Sequence, residues 1–215
     1  MLATRFFMVN FNFYLITDRY QTKGRPLVTV VEEALQVGIK AVQLREKDLN
    51  AKDLFELAQG MRKLTRKSGA KFFVNDRVDI AMAVDADGVH LGQNSFSAKY
   101  VRRIFTGAII GVSTHSLREA KRAEEDGADF ITFGPVFHTP SKACYGEPLG
   151  VEAIKELKGK IRIPVFAIGG IKKDNAKDAM NAGADGVAVI SAVIGAEDAG
   201  KAVKQIQDEM KCQSR

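Results

Sequence analysis

Short apolar runs alternate with longer amphipathic stretches along the chain. Four runs share a small-residue approach that leads into β-branched and aromatic positions: Gly38-Ile-Lys-Ala-Val-Gln-Leu44, Ala86-Asp-Gly-Val-His-Leu91, Gly127-Ala-Asp-Phe-Ile-Thr-Phe133 and Gly183-Ala-Asp-Gly-Val-Ala-Val189. A small residue that closes a helix, followed by such a run, predicts a strand. Phe13-Tyr-Leu-Ile16, Phe72-Phe-Val74, Ile109-Ile-Gly-Val112 and Pro164-Val-Phe-Ala-Ile168 predict four more. Between them, apolar residues three or four apart predict helices over 28–37, 51–65, 78–84, 98–105, 117–125, 151–157, 175–181 and 197–210. Regular strand–helix alternation implies parallel βα units. Eight units in 215 residues, about 27 each, suit a closed (β/α)8 TIM barrel near its small limit. An open doubly wound sheet would carry Gly-x-Gly-x-x-Gly after its first strand, and Asp18-Arg-Tyr-Gln-Thr-Lys-Gly24 is unlike that. No linker-like stretch divides the chain. The expectation is a single domain over 1–215, with 1–12 as an N-terminal extension and 211–215 as a frayed tail.

In such a barrel the chemistry sits at the C-terminal ends of the strands. Each predicted strand delivers polar groups or glycine there: Thr17-Asp18, Gln43 with Arg45 and Lys47, Asn75-Asp76, Gln93-Asn-Ser95, Ser113-Thr-His115, His138-Thr139 with Ser141 and Lys142, Gly169-Gly170, and Ile190-Ser191. Helix capping accounts for part of this pattern. Gly169-Gly170 and Ile190-Ser191 lie where these barrels bind phosphate on backbone N–H groups, although a tight turn would also use the glycines. Arg45 and Lys47, two apart on a segment read as extended, would face one side and grip a second anion; the alternative is a solvated pair. Asp76 beside a diphosphate would suit magnesium, and alone it would be a cap. His90, inside a strand, reads as a core histidine, whereas His115 and His138 stand at the rim as candidate acid–base groups. Cys144 beside Lys142 is a candidate thiol. Neither a Gly-x-Ser-x-Gly nucleophile elbow nor a His-Glu-x-x-His metal pair occurs.

Composition narrows the classes. Hydrophobic residues are 46% and charged residues 27%, an ordinary globular balance. The net charge of +6 comes from 32 Lys+Arg against 26 Asp+Glu, with no basic run longer than a pair. That dispersion argues against nucleic-acid binding and leaves phosphorylated substrates. No apolar run is long enough to cross a membrane. The first residues are too short and broken for a secretory signal, and two cysteines cannot staple a fold of this size, so a reducing cytoplasm is expected.

The rim motifs, taken together, resemble the thiamine phosphate synthase/TenI family from Phe13 to Ile206. The matching segments are Tyr14-Leu-Ile-Thr-Asp18, Gln43-Leu-Arg-Glu-Lys47, Asn75-Asp-Arg-Val-Asp79, Ala86-Asp-Gly-Val-His-Leu-Gly-Gln93, Gly111-Val-Ser-Thr-His115, Gly134-Pro-Val-Phe137, Ala167-Ile-Gly-Gly-Ile171 and Gly186-Val-Ala-Val-Ile-Ser191. The resemblance implies a homodimer that condenses hydroxymethylpyrimidine diphosphate with thiazole phosphate. It further implies that Gln43, Arg45, Lys47 and Asn75 hold the diphosphate substrate and that Asp76 binds Mg2+. Ser113 and Lys142 would steady the departing pyrophosphate. Thr139, Ser141, Gly170, Ile190 and Ser191 would hold the thiazole phosphate. Two departures stand out. Ser95 occupies the position of a second magnesium-binding aspartate, and a hydroxyl is the poorer ligand. The segment Tyr145-Gly-Glu-Pro-Leu-Gly150 is closer to TenI, whose members include a thiazole tautomerase. In that alternative His138 would move the proton, since Pro135 follows the strand-6 glycine. A non-catalytic thiazole-phosphate-binding relative is the third reading.

Overall fold

The computed structural model describes residues 9–139 and 146–211. Eight parallel strands close in sequence order: β1 (Phe13–Ile16), β2 (Ala41–Leu44), β3 (Lys71–Asn75), β4 (Gly88–Leu91), β5 (Ile109–Thr114), β6 (Phe130–Phe133), β7 (Val165–Ile168) and β8 (Gly186–Val189), with β8 pairing back onto β1. This is the barrel that the alternation predicts. The helices are α1 (Leu27–Gln36), α2 (Ala51–Ser68), α3 (Val78–Ala83), α4 (Ala98–Ile104), α5 (Leu117–Glu125), α6 (Gly150–Lys158), α7 (Lys173–Asn181), the short α8 (Ser191–Ile194) and α9 (Ala199–Lys211).

Local chemistry sets the boundaries. The Asn50 side chain accepts from Asp53 N and opens α2. The helix continues to Ser68, beyond the predicted end at 65, because the Thr65 hydroxyl bonds back to Arg62 O and the left-handed turn comes only at Gly69. Likewise β2 starts at Ala41 and not at Gly38, whose φ of 92° turns the chain out of α1.

The core has two layers. Outside the barrel, Leu15, Val42, Val74, Ile131 and Val187 face the apolar stripes of the helices. Inside, Tyr14, Phe73, Phe130 and Phe166 meet edge to face with centroids 5.3 to 6.2 Å apart. Rings of that size fit because Gly88 on β4 and Gly111 on β5 supply no side chain at their level. A Cβ on Gly88 would lie 2.9 Å from the Phe73 ring, and one on Gly111 would strike Phe130. Phe11 closes the base against the same rings. Of the expected extension 1–12, Phe11 is therefore part of the core, while 1–8 lie outside the described residues, as do 212–215 of the tail.

The repeated Ala-Asp step has a structural cause at the N-terminal end of the barrel. Oδ2 of Asp87, Asp129 and Asp185 accepts from Phe72 N at 3.0 Å, Ile110 N at 2.7 Å and Val165 N at 2.7 Å, each the backbone of the preceding strand. Arg62, Arg102 and Lys158 in turn neutralise the three carboxylates. The repeat is thus a staple between neighbouring strands, on the face opposite the polar rim.

Candidate active site

At the C-terminal ends of β2 and β3, Lys47, Asn75 and Asp76 line one cavity of about 280 Å³, together with Leu44, Glu46, Leu49, Leu54 and Arg77. Asp76 has a left-handed backbone, φ 56°, which costs on the order of 1 kcal/mol and is easiest for Asp and Asn. Its amide donates to His90 O at 3.0 Å. Oδ2 accepts from Asn75 Nδ2 at 2.7 Å, while Oδ1 accepts from Gly92 N at 3.0 Å and from the Ser95 hydroxyl. The N-cap of α3 is Arg77, without a side-chain cap. The capping alternative for Asp76 is excluded, because its carboxylate points across to the β4 rim, where Ser95 stands beside it.

The premise for Arg45 and Lys47 needs correction. β2 ends at Leu44 and the chain turns at Lys47, so strand alternation does not set their common face. What holds this loop is the one charged residue of the Gln43–Lys47 motif to which the sequence assigns no role. Glu46, 5% exposed, accepts from the Thr17 hydroxyl at 2.6 Å and from Arg19 N at 3.1 Å. Thr17 Oγ1 accepts from Arg45 N at 2.9 Å. The Arg19 guanidinium then grips Asp48, lies 4.4 Å over the Tyr20 ring and holds the Asp48 carboxyl far below the usual range. Arg45 and Lys47 therefore ride on a loop pinned from beneath.

Deeper in the mouth, Gln43 and His90 are buried to 1% and 2%. Gln43 Nε2 donates to the Tyr14 hydroxyl at 3.1 Å, and His90 Nε2 sits 3.0 Å from Ser113 Oγ. Burial pushes the His90 pKa down to about 3, against the charge of Asp76 and with help from that of Arg45, so the ring is neutral. His90 is the core histidine that the sequence suggests, yet it also touches a predicted site residue. Period-2 alternation already sets His90 on the inward face with Gly88, and that signal marks it as mouth-lining.

On the opposite side, β7 and β8 pair Ile168 with Ala188, which sets Gly170 and Ile190 each two residues beyond that pair. Gly170 has φ 65° and so little room that a Cβ would lie 2.5 Å from His138 O. Ser191, exposed, opens α8. His138 is exposed at this edge and Thr139 is half-buried beside it. His115 is held by Glu119, its Nδ1 3.1 Å from Oε2 and its amide 2.8 Å from the same oxygen. Ser141, Lys142 and Cys144 lie outside the described residues. Among the described residues no three His, Cys, Asp or Glu side chains form a metal cluster, and no helix is long and apolar enough to cross a membrane.

Residues 13–193 match a family model described as thiamine monophosphate synthase. A protein of Geobacter sulfurreducens is 55% identical over 88% of this chain and 90% of its own. The thiamine-phosphate synthase of Moorella thermoacetica is 45% identical over 94% of this chain and 96% of its own. Among solved structures, thiamine phosphate pyrophosphorylase from Pyrococcus furiosus superposes with a TM-score of 0.86 at 43% identity, covering 94% of this chain and 96% of that one.

Proposed function

The chain belongs to the thiamine monophosphate synthase family, and from that membership we propose how its barrel mouth joins hydroxymethylpyrimidine diphosphate to thiazole phosphate, forming thiamine phosphate and pyrophosphate. It is a transferase of the pyrimidinylmethyl group. The observation that carries the residue-level reading is the cavity shared by Lys47, Asn75 and Asp76, with the Gly170–Ser191 rim on the far side of the mouth. A dissociative displacement needs that arrangement: one anion site for the leaving group and another that holds the nucleophile in line.

In this account Arg45, Lys47 and Asn75 bind the diphosphate, and Ser113 with Lys142 steadies it as it leaves. The bond between the pyrimidine methylene carbon and the diphosphate oxygen breaks with its electron pair going to pyrophosphate. The thiazole nitrogen then donates its lone pair to the methylene, and the thiazole ring becomes cationic. Gly170, Ile190 and Ser191, with Thr139 and Ser141, hold the thiazole phosphate so that this nitrogen faces the carbon. Gln43, anchored through its nitrogen, leaves Oε1 to accept from a donor on the pyrimidine.

The donor set at Asp76 and Ser95 fits Mg2+. Both are hard oxygen donors, adjacent at one rim, and magnesium commonly takes one or two carboxylates with phosphate oxygens and water. When bound, the ion neutralises charge developing on the pyrophosphate. A homodimer in a reducing cytoplasm completes the reading. Phe96, Tyr100 and Ile104, exposed at 72%, 56% and 60%, support a second copy as the cover for an apolar strip.

The test is direct. Purified protein with Mg2+ and both substrates is expected to form thiamine phosphate and pyrophosphate in equal amounts, and Asp76→Asn to lose about a hundredfold in turnover. Absence of product from the wild-type protein would overturn the reading.

A further inference from the structure

A continuous run of hydrogen bonds crosses the barrel beneath the mouth. Gln43 Nε2 donates to the Tyr14 hydroxyl at 3.1 Å, the Tyr14 hydroxyl lies 3.5 Å from His90 Nδ1, and His90 Nε2 lies 3.0 Å from Ser113 Oγ and 3.3 Å from Thr132 Oγ1. Tyr14, Gln43, His90 and Thr132 are all exposed by 2% or less. The direction of each proton follows from valence. An amide N–H fills one lone pair of the Tyr14 oxygen, and the single phenolic proton is left for His90 Nδ1. A neutral imidazole that accepts at Nδ1 carries its hydrogen at Nε2. That hydrogen goes to the nearer acceptor, Ser113, with Thr132 as the weaker second.

Packing fixes the position of the ring. It packs 5.7 Å from both Tyr14 and Phe130, and it fits because its β5 neighbour is Gly111, where a Cβ would lie 2.5 Å from Nδ1. Ser113 is half-buried, at the inner edge of the mouth. With one lone pair filled from below, its own proton is directed away from His90.

We propose that His90 is a positioning residue, held as the Nε2–H tautomer by Tyr14 and Gln43, that turns the Ser113 hydroxyl into a fixed donor toward the diphosphate of the substrate. The proposal rests on the reading of Ser113 as a contact of the leaving group. The histidine itself does not touch the reacting atoms. Its contribution is to settle the orientation of a rotor that otherwise has three positions, so that no reorganisation is needed as charge builds on the pyrophosphate.

Two measurements test this. The chain holds three histidines, so the His115→Asn/His138→Asn variant leaves His90 alone for 15N-histidine NMR. The expected spectrum has the hydrogen on Nε2 and a bare Nδ1; an Nδ1–H ring or a doubly protonated one would overturn the proposal. Calorimetric binding of pyrophosphate with Mg2+ gives the second readout. The amide nitrogen of Gln reaches the place of Nε2, whereas that of Asn does not. Binding is expected to weaken about tenfold in Ser113→Ala, in His90→Asn and in their double variant alike, and by less than about threefold in His90→Gln. Thiazole phosphate binding stays unchanged in all four. Additive losses, or equal losses in His90→Gln and His90→Asn, would overturn the proposal. A loss in Ser113→Ala without one in His90→Asn refutes the role of His90 alone. A silent Ser113→Ala refutes the reading of Ser113 and with it this inference.

Discussion

The Asp76 carboxylate accepts from three partners, and those partners predict how it responds to change. Gly92 N, Ser95 and Asn75 all donate to its carboxylate, so its charge is partly balanced before any cation arrives. Replacing the Ser95 donor with a second carboxylate removes that balance and adds a hard ligand. Ser95→Asp is expected to lower the Mg2+ concentration for half-maximal activity by about tenfold, measured by magnesium titration at saturating substrates. An unchanged requirement would show that Ser95 does not face the ion. His90 makes a separate prediction about stability. Its folded pKa, about 3, lies below the ordinary histidine value near 6.5, so between those values the unfolded chain binds a proton that the folded chain does not. The stability due to this group is fully present above pH ~6.5 and falls by about 1.4 kcal/mol per pH unit as the pH drops. Urea unfolding from pH 7 to pH 5 is expected to show that slope in the wild-type protein and to lose it in His90→Gln. The same slope in both proteins would contradict the account.

The staples between neighbouring strands explain the internal repeat better than any shared function does. Asp129 is nearly buried, its carboxylate is shared between Arg102 and Ile110 N, and burial pushes its pKa up. Asp129→Ala is expected to cost about 2–3 kcal/mol in urea unfolding, since the buried Ile110 N–H and the Arg102 charge are both left without it. Glu152→Ala, which breaks an exposed pair with Lys155 at 2.7 Å, is expected to change stability by less than about 0.5 kcal/mol. Comparable losses in the two variants would show that the repeated carboxylate is ordinary surface charge. The strand–helix order and the helices were legible because periodicity reports one face of one element at a time. What periodicity does not report is a partner on another element. Glu46 stands between two cations in the sequence, and only folding brings Thr17 and Arg19 over it. Arg45 and Lys47 looked co-facial because nothing in Leu44-Arg-Glu-Lys47 marks where β2 stops. Phe11 looked like part of an extension because its ring contacts come from β1, β3, β6 and β7.

The two ends of the barrel carry different chemistry, with carboxylates stapling strands at one end and cations, amides and glycines gathered at the other. The net charge of +6 is ordinary as a total and meaningful only in that division. The rim residues were readable because strand ends project chemistry in a fixed direction, whereas the distances across the mouth depend on closure of the whole sheet. The central claim is that the mouth has two sides, the β2–β3 edge for the diphosphate and the β7–β8 edge for the thiazole phosphate. Steady-state kinetics with each substrate varied in turn tests it most directly. Lys47→Ala is expected to raise KM for the pyrimidine diphosphate about tenfold and to leave KM for thiazole phosphate within about twofold, and Ser191→Ala to do the reverse. Equal rises in both constants for both variants would contradict the two-sided mouth.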